Sequence, residues 1–294
     1  YSAKVESVWN KTSAMIPCPV ILDESTVRVF LTFQDDLGIG RPGFIDLNLT
    51  NLKTIKRVSE NPIFDIGLPG TFDDNGAVVC SVVKKDDQNY YFYYVGFELC
   101  TKIRYRLLTG LAVTDSKFNL KKKFKTPVLE RSESEMFFRC GPFCLIESGV
   151  YKMWYIAGSE WTITEGKELP VYQIYYIESE DGINWPEKGQ LCISIENDGE
   201  HGFGRPYVIL QNDIYKMFYS IRLKGRGYRL GYAESKDGIE WVRKDELMNL
   251  DISKYGFDSE MICFSAVIEI KNKLIMFYNG NKFGKDGLGY AVLE

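Results

Sequence analysis

VYKMWYIAG, residues 150–158, and IYKMFYS, residues 214–220, are two versions of one phrase: an apolar, aromatic run entered through a short polar turn, ESG (147–149) or QND (211–213). Aligned on its last aromatic position, the phrase recurs as VRVFL (27–31), YYFYY (90–94) and LIMFY (274–278), the last entered through KNK (271–273). Its final residues, Leu31, Tyr94, Tyr155, Tyr219 and Tyr278, stand 63, 61, 64 and 59 positions apart. A second run follows each copy: GFIDL (43–47), GLAVT (110–114), YYIES (175–179), GYAES (231–235) and GYAVL (289–293). A third precedes each: CPVIL (18–22), CSVVK (80–84), GPFCL (141–145), RPYVI (205–209) and SAVIE (265–269). Runs of this length, rich in aromatic and β-branched residues and split by short polar turns, read as strands joined by hairpins.

Fourth strands are expected around TIKRV (54–58), KKKFK (121–125), GQLCI (189–193) and WVRKD (241–245). Two copies carry S-x-D-G-x-x-W, from Ser179 to Trp185 and from Ser235 to Trp241, where Asp-Gly makes a tight turn and the Trp packs at the start of the fourth strand. Five copies of three strands in constant order, four with a fourth strand, imply an all-β chain: a single five-bladed β-propeller domain over residues 1–294. The last copy ends at Glu294 after its third strand, and KVESVW (4–9) has no copy of its own, so the N-terminal segment is expected to supply the missing outer strand. Stacking of units against one another buries both sheet faces, which accounts for strands that are apolar throughout rather than alternating. A β-sandwich with coincidental spacing is the alternative.

Composition narrows the function. Of 294 residues, 36 are Lys or Arg and 40 Asp or Glu, a formal charge of −4 that does not suit electrostatic capture of nucleic acid. No apolar run approaches the roughly 20 residues a membrane helix requires. The opening YSAKVESVWNK has no apolar core of a signal peptide, although Tyr1 is not a start methionine and leaves room for an upstream segment. The seven cysteines contain no C-x-x-C pair and the chain has one His, so neither a zinc site nor another cofactor is expected; packed thiols suit a reduced, cytoplasmic protein. The spacing of Cys140 and Cys144 reads as packing, and nothing sets an oligomeric state. The Lys121–Lys125 run reads as the solvated face of an outer strand.

In a propeller the residues just before each inner strand lie at one mouth of the central funnel. There the sequence places Asp73 and Asp74, Glu135 with Arg139, Glu200 with His201, and Asp258 with Glu260; the first copy offers Lys11, Thr12 and Ser13 instead. Acids at matched positions in four copies could be inter-unit ion pairs, with Arg139 and Arg205 as partners. They could also be the paired carboxylates that glycosidic bond cleavage requires, one held protonated and one ionised. Phe72, Phe137, Phe138, Phe203 and Phe257 flank them and suit either sugar stacking or core packing. His201, the sole His, is expected to hydrogen-bond a ligand or a neighbouring loop rather than to serve in a nucleophilic triad. The segment SEWTITEGKELPV (159–171) is the longest insertion between second and third strands and is expected to act as a lid, with Trp161 as a platform for a sugar ring.

The strand order, the S-x-D-G-x-x-W turns and the acids ahead of inner strands resemble the five-bladed propeller glycoside hydrolases of families 43 and 32 and the related mannoside phosphorylases of family 130. GTFDDNGAVVCSVV, GRPYVI with IYKMFYS, GYAESKDGIEW and DSEMICFSAVI resemble, over almost the whole chain, a bacterial glycosylase-like group linked with surface-polysaccharide genes. The resemblance implies a carbohydrate or sugar-conjugate substrate. Families 43 and 32 carry a base or nucleophile Asp ahead of the first inner strand; NKTSAMIP (10–17) has none. On the resemblance, Asp74 or Asp73 would take that role, Glu260 would be the general acid, and Glu135 and Glu200 would tune it or contact sugar hydroxyls. Arg139 and Arg205 would bind an anionic group or pair with the acids, and Asp258 would contact substrate. The expected function is glycosidic bond cleavage or transfer. A sugar phosphorylase or glycosyltransferase using phosphate or a nucleotide sugar is one alternative, and a glycan-binding propeller without catalysis is another.

Overall fold

The computed structural model describes Tyr1, residues 8–164 and residues 166–293, with Ser159 described by its backbone alone. It is nearly all β. Four antiparallel meanders of four strands and one of three follow in chain order. The first comprises β1 (Thr12–Asp23), β2 (Thr26–Gln34), β3 (Gly40–Asn48) and β4 (Asn51–Val58); the second β5 (Ala77–Lys84), β6 (Asn89–Leu99), β7 (Tyr105–Asp115) and β8 (Leu120–Lys123). The third comprises β9 (Phe138–Glu147), β10 (Val150–Thr164), β11 (Lys167–Ser179) and β12 (Gln190–Ile193); the fourth β13 (Glu200–Gln211), β14 (Ile214–Leu223), β15 (Arg229–Ser235) and β16 (Val242–Arg243). The fifth holds β17 (Cys263–Ile270), β18 (Lys273–Asn279) and β19 (Leu288–Leu293). The three strands expected in each of the five copies and the fourth strand expected in four of them are present, and so are their turns. Ser148 and Gly149, Asn212 and Asp213, and Lys271 and Asn272 all take positive φ, the paired left-handed conformation of two-residue hairpins.

The first strands close a cycle: β1 lies against β5 and β17, β5 against β9, β9 against β13, and β13 against β17. Each junction has its own apolar core. Val29 and Ile45 of the first meander pack with Ile275 and Phe277 of the fifth, so the ends of the chain meet through side chains. Phe30 and Phe44 pack with Phe92, Tyr91 and Tyr93 with Met153 and Tyr155, and Phe218 with Val267 and Met276. Tyr1 exchanges both backbone hydrogen bonds with Leu288 of β19, at 2.8 and 2.7 Å. The outer strand expected at 4–9 falls chiefly on residues 2–7, which lie outside the described residues.

Two sequence signatures acquire a physical reason. In S-x-D-G-x-x-W, the Ser179 and Ser235 hydroxyls accept the N–H of Gly182 and Gly238, which take φ of 70° and 79°. The freed carbonyls then accept from the preceding meander: Tyr93 Oη donates to Gly182 O (2.8 Å) and Trp154 Nε1 to Gly238 O (2.7 Å). The motif is a clasp between neighbours, and Trp185 and Trp241 pack across it onto Tyr93 and Trp154. In three meanders a glycine of the third strand faces the aligned tyrosine of the second: Gly110 opposes Tyr94, Gly231 opposes Tyr219 and Gly289 opposes Tyr278. A Cβ at Gly110 would stand 2.4 Å from the Tyr94 ring, and at Gly231 2.3 Å from the Tyr219 ring. Glycine is the side chain that leaves room for those rings.

Candidate functional site

Four tyrosines at the matching position of the second strands bring a hydroxyl onto a carboxylate. Tyr94 Oη donates to Asp73 (2.9 Å), Tyr155 to Glu135 (2.7 Å), Tyr219 to Asp245 (2.6 Å) and Tyr278 to Asp258 (2.9 Å). Burial and the adjacent carboxylate push all four phenols up. The first meander has Leu31 where the others have tyrosine, and NKTSAMIP (10–17) holds no acid at the matching positions.

The expected site residues therefore divide. Asp73 is buried, ion-paired with Lys123 at 2.8 Å, and accepts from Thr71. Glu135 is 2% exposed, ion-paired with Arg139 at 2.6 Å, and accepts the Gly189 N–H. Glu200 is buried beneath a bidentate pair from Arg243 (2.7 and 3.0 Å), which also holds Asp245; these bonds keep the Glu200 carboxyl below its ordinary range despite the opposing effect of burial. Asp258 is buried against Tyr278. Asp74 and Glu260 differ: Asp74 is half-buried and accepts only the Gly70 N–H (2.8 Å), Glu260 is exposed, and neither has an ion pair among the described residues.

Two further expectations change. Arg205, expected at the mouth to hold an anion or pair with an acid, contacts no carboxylate. It is 1% exposed and donates to the carbonyls of Cys80, Pro17 and Ser265 at 3.0–3.1 Å, on β5, β1 and β17. Its guanidinium plugs the ring by satisfying carbonyls of the first strands, whose ladder bonds lapse at register shifts. Arg139 takes the other expected course, pairing with Glu135 and donating to Glu130 O and Pro186 O. The insertion 159–171 is not a loop. Glu160 through Thr164 pair with Val171 through Lys167, extending β10 and β11 into a long hairpin, with Glu165 outside the described residues. Trp161 lies on that hairpin, half-buried against Phe137 and Phe138, with its Nε1 buried and without a partner among the described residues.

What remains at the entrance ends of the first strands is a group the sequence did not single out. Arg222, at the end of β14 opposite Gly202, is 4% exposed. It donates to Tyr228 Oη (2.9 Å) and Pro170 O (2.7 Å), and its guanidinium lies 4.5 Å from the Tyr172 ring centre. The phenol oxygens of Tyr228, Tyr172 and Tyr105 act on its charge, and it faces no carboxylate among the described residues. His201 beside it is 5% exposed; burial first, then the charges of Arg222 and Lys224, push its pKa down to about 4. The imidazole is therefore neutral near pH 7. Its Nδ1 and the Tyr172 hydroxyl are buried without hydrogen-bond partners. Aromatics from neighbouring meanders ring the group: Tyr105 packs on Phe97 and Phe138, and Tyr228 on Phe264 and Phe283. Only a sequence reader who knew that Arg222 ends a second strand and that no acid reaches it would have found it.

No protein-family model matches the chain. An uncharacterized protein of Mycobacterium tuberculosis (strain ATCC 25618 / H37Rv), Rv1502, is 27% identical over 286 residues, covering 97% of this chain and 94% of the relative. A solved structure described as a glycoside hydrolase superposes with a TM-score of 0.76 at 16% identity, over 100% of this chain and 91% of the other. A thermostable family-43 glycoside hydrolase superposes with a TM-score of 0.71 at 19% identity, over 100% and 93%. The chain thus has a fold shared with glycoside hydrolases, one of family 43 among them. At these identities the likeness is one of fold, and chemistry has to be argued from the site. Among the described residues no helix is long and apolar enough to cross a membrane.

Proposed function

We propose that this chain is a carbohydrate-active five-bladed β-propeller, closed by its N-terminal segment on β19, that takes a sugar or sugar conjugate at the entrance of its ring. The closure is supported by the paired bonds between Tyr1 and Leu288. The observation that carries the functional part is the convergence of aromatics and unpartnered buried polar atoms at that entrance: Trp161 Nε1, Tyr172 Oη and His201 Nδ1. Sugars offer apolar ring faces for stacking and hydroxyls for such groups, and a buried polar atom without a partner costs about 1–3 kcal/mol until one arrives.

For bond cleavage or transfer, Asp74 is the base or nucleophile and Glu260 the general acid, because they alone among the expected acids lack an ion pair or a tyrosine clamp. Asp74→Asn and Glu260→Gln, assayed on a panel of glycosides, with and without phosphate, and nucleotide sugars, should each lower turnover at least 100-fold while leaving sugar affinity and melting temperature near wild type. Full turnover in both variants would remove these residues from the mechanism. The engagement of Asp73, Glu135, Glu200 and Asp258 in structural bonds favours a second reading, a glycan-binding propeller. Wild-type protein that binds glycans on the panel yet turns none over would establish it.

A further inference from the structure

Arg222 presents an unusual electrostatic situation. A guanidinium 4% exposed is engaged at Nε by the Tyr228 hydroxyl and at Nη1 by the Pro170 carbonyl, and it faces no carboxylate among the described residues. Arg28 and Arg139, buried to a similar degree, are neutralised by Asp46 and Glu135, whereas Arg205 is held by carbonyls of three first strands at the centre of the ring. A buried cation without an anion is costly, several kcal/mol even after relaxation. Around this one, among the described residues, stand groups with a proton to donate: the phenols of Tyr105, Tyr172 and Tyr228, and a neutral imidazole, which donates from one ring nitrogen. Such a set completes itself by taking up an oxyanion.

Resting on the sugar reading above, we propose that Arg222, with Tyr172, Tyr228 and His201, binds the carboxylate of an acidic sugar, so that the substrate class is a uronic or other sugar acid. Charge selects carboxylate over phosphate. Arg222 is the single buried cation of the cluster, His201 being uncharged, and Lys224 and Arg226 are exposed at the rim. One guanidinium neutralises a carboxylate, whereas a phosphate ester near its second ionisation would bring an excess negative charge into a site that excludes water. The planar fork also matches a carboxylate edge. The aromatic surround of Phe97, Trp161 and Phe264 would then meet the ring of the same sugar.

The test is calorimetric titration of the whole protein with D-glucuronate, N-acetylneuraminate, D-glucose, D-glucose 1-phosphate and glycolate. A charge-assisted bond in a desolvated site should make at least one sugar acid bind about tenfold to a hundredfold more tightly than glucose and more tightly than the phosphate ester. Arg222→Gln should abolish that difference, and Tyr228→Phe should reduce it. If Arg222→Gln does not fold, stabilisation of the wild-type protein against heat by the sugar acids, and not by glucose or the phosphate ester, serves in its place. Equal affinity for glucose and the sugar acids, tighter binding of the phosphate ester, a preference surviving in folded Arg222→Gln, or no binding of any carboxylate overturns the proposal. Glycolate binding that depends on Arg222, with no sugar bound, would keep the carboxylate site and overturn the sugar reading.

Discussion

Glu135→Gln separates a catalytic carboxylate from a structural one. The substitution keeps volume and removes charge, leaving Arg139, 2% exposed, facing a neutral amide where it had an ion pair at 2.6 Å. Breaking a buried pair from one side costs about 3–5 kcal/mol, because the surviving charge stays buried. Unfolding entropy of about 2.1 cal/mol/K per residue over 294 residues amounts to about 0.6 kcal/mol/K, so the loss corresponds to a fall in Tm of about 5–8 °C. The single amide oxygen can accept from Tyr155 or from Gly189 but not from both, because they bond to different carboxylate oxygens, and the NH2 then faces a donor, which places the effect towards the upper end of that interval. Differential scanning calorimetry reads it directly. Replacing both members, as Glu135→Leu with Arg139→Met, should recover much of the loss, since hydrophobic isosteres of a buried pair are often neutral. A Glu135→Gln protein that melts within 1 °C of wild type but has lost turnover or ligand binding would refute the structural assignment and return Glu135 to the chemistry.

Other outcomes follow from the same contacts. His201 is the only His, so its resonance is unambiguous; with its pKa pushed down to about 4 it should show no titration between pH 8 and about 5, and a midpoint near 6.5 would show an exposed ring. The sign for stability is set by the unfolded chain, which binds this proton more readily than the fold does: the contribution is complete above about pH 6.5 and is lost as pH falls towards 4. Gly231→Ala puts a Cβ 2.3 Å from the Tyr219 ring and so strains its 2.6 Å bond to Asp245; a loss of about 1–3 kcal/mol should appear as a lower urea midpoint, and an unchanged midpoint would mean the ring moves aside freely.

The repeat was legible because strands announce themselves locally: period, aromatic content and hairpin turns are properties of neighbouring residues, and the five aromatic runs all became second strands. The segment 159–171 reads as a loop in sequence yet continues a hairpin, since a stretch as polar as TITEGKEL does so when backbone groups find each other across the two strands. Asp73, Glu135 and Asp258 lie ahead of first strands and Glu200 opens β13, but their partners could not be read from the sequence. Lys123 is 50 residues from Asp73 in the chain, Arg243 is 43 from Glu200 and Tyr278 is 20 from Asp258, and whether an acid is clamped depends on which side chain the ring brings to it. The same holds for Arg205 and Arg222 of the fourth meander. Sequence placed Arg205 beside a first strand and was silent on Arg222; the closed ring sends Arg205 into the carbonyls of three meanders and leaves Arg222 among phenols with no acid to answer it. Periodicity is written in short-range order and survives as one-dimensional information, whereas the compensation of a buried charge is a sum over everything within a few ångströms, and only the folded ring decides what that includes.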